Sequence, residues 1–136
     1  MTISLYAASV PVFKQMLTAL SDVLAKAEAH ATSKNIEPDA LLQARLFPDM
    51  FQLIRQVQIA ADFAKGVSAR LAGIEPPKFD DTEKTFADLQ ALIAKTLAFI
   101  GSISPELING QEGREIVTRQ RSEEHTSELQ SLTNLV

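Results

Sequence analysis

Apolar residues recur at steps of three and four in three separate stretches of this chain, and prolines and glycines punctuate the edges of those stretches. That period places them on one face of a helix, and each such face must be covered by another. In the first stretch Phe13, Leu17, Leu20, Leu24 and Ala27 make the stripe, widened by Met16 and Val23. Pro11 fits the first turn of a helix capped by Ser9, or bends a longer helix begun at Ser4, and the longer helix is expected. Short polar residues from Thr32 to Asn35 should end it. A second helix is expected from near Pro48, with Met50, Leu53, Ile54, Val57, Ala60, Ala61, Ala64, Val67 and Leu71 in period and Gly73 as a left-handed cap. A third follows Asp80, which has the capping-box spacing to Glu83, and runs through Phe86, Leu89, Ile93, Thr96, Leu97 and Ile100 to Gly101.

Between these stretches, Glu37, Pro38 and Asp39 read as a turn into a short helical piece carrying Leu41 and Leu42. Pro76 and Pro77 make a stiff connector at which the chain should reverse. Ser104 and Pro105 open another turn that ends near Gly110, and Ile116 with Val117 suggests a brief extended run at residues 114–118. Three amphipathic helices with short connections predict an all-α fold, an antiparallel up-down helix bundle. With 136 residues, one domain and one core are expected.

Composition narrows the function. A formal charge of -4 without a basic stripe argues against nucleic acid. The absence of cysteine removes disulfides, thiolate nucleophiles and cysteine-based metal sites. No apolar run is long enough to span a bilayer, which argues against a membrane, and the N-terminus lacks the pattern of a signal peptide. The expected setting is cytoplasmic.

Chemistry has few places to sit. The two histidines are His30 and His125, too few for a histidine-based metal centre. His30 falls near the end of the first helix, where interaction with the helix dipole or plain exposure accounts for it. On the second helix Arg55, Gln58, Asp62 and Lys65 share a face, and with Asp49 they form a candidate polar pocket. The competing readings are a solvated face with weak pairs such as Asp62 with Lys65, and an Asp49 that stabilises the first helical turn. Asp80 and Asp81 could form an acid/base pair, but capping explains both. No glycine-rich phosphate loop, nucleophile elbow or serine triad is present, so the catalytic residues stay unknown and no cofactor is evident.

The segments SLYAASVPVFKQML, ARLFPDMFQLIRQVQIAADFAKG and PPKFDDTEKTFADLQALIAKTLAFI together resemble an uncharacterised bacterial family within the DinB/YfiT-like superfamily of four-helix bundles. The resemblance implies a four-helix design and, for some members, a divalent metal held by a histidine on the second helix and a pair on the fourth. The second helix here contains no histidine, so metal ligands are not expected in this chain. The tail RSEEHTSELQS, from Arg121 to Ser131, resembles the translation of a sequencing-library adapter, and Asn134, Leu135 and Val136 continue it. The expected domain is therefore residues 1–120, C-terminally truncated, with residues 121–136 a non-native tail. On that reading the chain should be inactive and expose an apolar groove where a fourth helix would lie. Leu129, Leu132 and Val136 have the spacing to lie in that groove by accident. Two functions remain open: an enzyme or small-ligand binder with an unknown ligand, and a helical interaction or structural module that forms a homodimer.

Overall fold

A computed structural model describes residues 3–111 and 113 of the chain. Among them are α1 (Val10–Ser33), α2 (Pro38–Leu42), α3 (Leu53–Ala72), α4 (Phe86–Gly101) and α5 (Pro105–Ile108). Every regular element among the described residues is helical, as the periodicity implies. The expected extended run at 114–118, the tail at 121–136 and His125 lie outside the described residues.

The core forms where the stripes meet. Leu17 and Leu24 of α1, Val57 and Ala64 of α3, and Leu89, Ile93 and Ile100 of α4 are buried together. Burial of such side chains is worth about 1.5–3 kcal/mol each before chain entropy is subtracted. Thr96 shares this interior because its hydroxyl donates to Leu92 O at 2.8 Å, which satisfies it locally. Met16 and Val23, counted with the first stripe, instead remain 64% and 59% exposed. They belong to the edge of an apolar arc wider than the neighbouring helices cover.

The direction of each helix follows from its contacts. Gln90, early in α4, donates through Nε2 to Ser21 O at 2.9 Å. At the other end of α4, Lys14 Nζ stands 3.5 Å from where a Cβ on Gly101 would lie. The helices α1 and α4 are therefore antiparallel. By contrast Gln58, early in α3, reaches Glu83, just before α4, at 2.8 Å. Lys65 and Lys95, farther along α3 and α4, meet on the same Phe79 ring. The α3–α4 pair thus runs in one direction, which modifies the simple up-down order. The connector between Gly73 and Thr85 does not merely reverse the chain but carries it back along α3. Its extended residues, stiffened by Pro76 and Pro77, have the reach to do so.

Several boundaries also move. α1 begins at Val10 rather than near Ser4, because Ser4 is used in its own turn, accepting from Ala7 N at 3.1 Å. α3 begins at Leu53 rather than Pro48, since Leu53 N closes the preceding loop onto Ala44 O at 3.0 Å. Gly73 does cap α3 in the left-handed region, with φ 72. α4 is capped by Thr85, not Asp80: Thr85 Oγ1 accepts from Asp88 N while Asp88 Oδ2 accepts from Thr85 N. Contacts to α3 hold Asp81 and Glu83 in the connector, so the helix starts beyond them.

Candidate functional site

The polar flank of α3 faces the connector. Spacing of i, i+3, i+7 and i+10 brings Arg55, Gln58, Asp62 and Lys65 onto this flank, as the sequence implies. Arg55 Nη1 donates to Asp81 Oδ2 at 3.0 Å and lies 3.4 Å from Gln58 Oε1. Gln58, only 6% exposed, passes its amide to Glu83 Oε2. Lys65 is 8% exposed, pairs with Asp62 at 3.4 Å, and stands 4.4 Å from the Phe79 ring centroid. Lys95 approaches the same ring to 4.1 Å. An aromatic face attracts ammonium groups through its quadrupole, so Phe79 lowers the cost of burying Lys65.

Asp49 does not join this cluster. It lies in the exposed loop before α3, outside the first helical turn. The sequence also gave no direct notice of Phe79, Asp81, Glu83 or Lys95 as partners of α3. One usable signal existed: Phe79 is a large apolar residue in an otherwise polar and proline-rich connector, and such a residue needs a surface to cover it.

Chemically, the arrangement is a clamp. Each polar group that converges here is already engaged by another, and the contacts fasten the connector across α3 and α4. The nearby cleft lined by Thr82, Glu83, Asp88, Leu92 and Lys95 holds about 250 Å³ and opens to solvent. Asp88 is held below the usual carboxylate range, first by the Lys84 backbone N–H that donates to it, with Thr85 adding further hydrogen bonds. That is the effect of a helix cap and needs no catalytic role.

The divalent-metal centre that the resemblance implies for some members can be tested against this donor set. α3 carries no histidine, and His30 is exposed in the last turn of α1. Among the described residues no group of three histidine, cysteine, aspartate or glutamate side chains converges. Ser68 Oγ is a buried polar atom of α3 without a hydrogen-bond partner among the described residues. A lone neutral hydroxyl one helical turn from Ala64 and Ala72 is no ligand set for a divalent metal. The described residues do not fit the group. Among them, too, no helix is long and apolar enough to cross a membrane.

Comparison with known proteins agrees with the helical architecture. A DinB family member protein from Shewanella denitrificans has a solved structure that superposes with a TM-score of 0.74 at 38% sequence identity. The match covers 84% of this chain and 70% of that one. No curated protein matches the sequence. Residues 5–135 match the family described as Domain of unknown function (DUF1993). The chain belongs to that family, and its fold is DinB-like.

Proposed function

We propose that this chain is a helical association module that works by pairing with a second copy of itself. The observation that supports this reading is the contrast between its satisfied polar flank and its bare apolar surface. Arg55, Gln58, Asp62 and Lys65 are spent on the clamp, whereas Leu46, Phe47, Phe51 and Phe63 are each at least 60% exposed. Exposed apolar groups of this size favour association. Sedimentation velocity over a dilution series of the full chain tests the idea. A concentration-dependent monomer–dimer boundary is expected, and a strict monomer throughout would sink it.

A second reading, a DinB-like enzyme or small-ligand binder, draws support from the family and from an open cleft of about 660 Å³ beside Ser21, Glu28 and Gln90. Native mass spectrometry of protein purified without chelator addresses both of its forms. A stoichiometric metal or retained small molecule would favour this reading over the first. The setting we propose is cytoplasmic, with no nucleic-acid partner, in keeping with the acidic composition. We further propose that residues 121–136 are an addition, although the family match runs to residue 135. Genomic reads that continue unbroken through the codon for Arg121 would overturn it.

A further inference from the structure

We infer that the dimer forms about a two-fold axis at the loop of residues 44–52, an inference that rests on the self-association just proposed. This loop has a defined shape. Leu53 N donates to Ala44 O and Met50 N to Phe47 O, each at 3.0 Å. Arg45 Nη1 reaches Pro48 O at 3.3 Å and Met50 O at 3.1 Å, and Gln56 Nε2 holds Phe51 O at 2.8 Å. These bonds satisfy backbone carbonyls within the loop and leave its large side chains facing outward. Leu46 is 84% exposed, Phe47 66% and Phe51 60%.

A further large apolar side chain, Phe63, is exposed on α3. Gln56 ties Phe51 to the outer flank of α3, and Gln56, Ala60 and Phe63 follow there at i, i+4 and i+7. At their observed exposures, Leu46, Phe47, Phe51 and Phe63 offer roughly 500 Å² per subunit, so a pair would bury roughly 1,000 Å². That is the size of a weak, reversible interface.

Charge favours a second copy as the occupant. Arg45 and Asp49 lie among the apolar residues, both are exposed, and they form no ion pair with each other. In an isologous interface each residue meets its counterpart's neighbour reciprocally. A two-fold axis at the loop would set Arg45 against Asp49 of the partner subunit and repeat the contact on the other side. The loop is thus self-complementary, with an apolar centre and one charge of each sign at its rim.

The test uses sedimentation velocity on the full chain and its variants, with circular dichroism to verify helical content. Combined Phe47→Ser and Phe51→Ser should raise the dimer dissociation constant at least tenfold. Asp49→Lys alone should raise it in the same range at low salt, with partial recovery as added salt screens the new repulsion. Combined Met16→Ser and Val23→Ser, on exposed α1, should leave it unchanged. A dimer that survives the loop variants but responds to the α1 variants would overturn this surface and leave self-association standing. If the phenylalanine variants dissociate it and Asp49→Lys does not, the two-fold pairing is wrong. A parent chain that stays monomeric overturns both the surface and the reading beneath it.

Discussion

The two flanks of α3 have opposite fates. On one, Arg55, Gln58 and Lys65 meet a connector that supplies Asp81, Glu83 and Phe79, and Asp62 pairs with Lys65. On the other, Phe63 stands beside Ala60 with no helix of the described residues over it, and the preceding loop adds Phe51 to the same side. The lesson concerns how polarity maps onto function. A polar stripe is not a pocket when the chain folds its own connector over it, and an apolar stripe is not a core until something covers it.

The connector flank should be the costly one to disturb. Phe79→Ala removes the ring shared by Lys65 and Lys95 and leaves Lys65, nearly buried, with only the 3.4 Å contact to Asp62. A loss of about 2–3 kcal/mol is expected in urea unfolding, less than for a fully buried phenylalanine because this one is half-buried. A loss under half a kcal/mol would mean that the clamp is decoration. Gln58→Ala should come next. It leaves Glu83 without its side-chain donor, at a cost of about 1–2 kcal/mol by the same measurement.

How much of this contrast could be read from the chain depends on the range of the interaction involved. The stripes of Leu17 and Leu24, and of Leu89, Ile93 and Ile100, were legible because helical period is local and burial follows it. The shared face of Arg55, Gln58, Asp62 and Lys65 was legible for the same reason. Its partners were not, since Asp81 and Glu83 are 26 and 25 residues from Arg55 and Gln58, and only the path of the connector brings them near. The choice of cap has the same origin. Asp80 with Glu83 and Thr85 with Asp88 both have acceptable spacing, and the tertiary contacts of Asp81 and Glu83 decide between them. Likewise Pro48, a good first-turn residue, implies a helix at Asp49, whereas Arg45 folds that segment into a loop by bonding Pro48 O and Met50 O.

The cap that ends the connector gives a smaller effect with a defined pH dependence. Thr85→Ala removes the acceptor for Asp88 N and should cost about 1 kcal/mol near neutral pH. Asp88 titrates below the usual carboxylate value of 3.8 when folded, chiefly because Lys84 N donates to its carboxylate. A lowered folded value means that its contribution is complete above the unfolded pKa and is lost as pH falls through the folded one. Asp88→Asn should therefore flatten the acid limb of stability below about pH 4 and leave the slope near neutrality unchanged. Urea midpoints measured from pH 2 to pH 7 read this directly. An unchanged acid limb would show that the cap bonds are absent in solution.

The smallest expected effect falls on the bare flank. Phe63 is 67% exposed, so replacing it with serine removes little buried area from the monomer. Phenylalanine and serine also have similar helix propensities, which leaves no backbone reason for a change. Monomer stability of Phe63→Ser should stay within about 0.5 kcal/mol of the parent when measured at the lowest practical concentration. At high concentration the parent should gain apparent stability from association, and the variant should gain less, since binding stabilises only the state that binds. The divergence between the two melting curves with concentration, rather than either curve alone, is the quantity to follow. A variant that is destabilised equally at every concentration would mean that Phe63 is covered within a single chain, and the two flanks of α3 would then cease to differ.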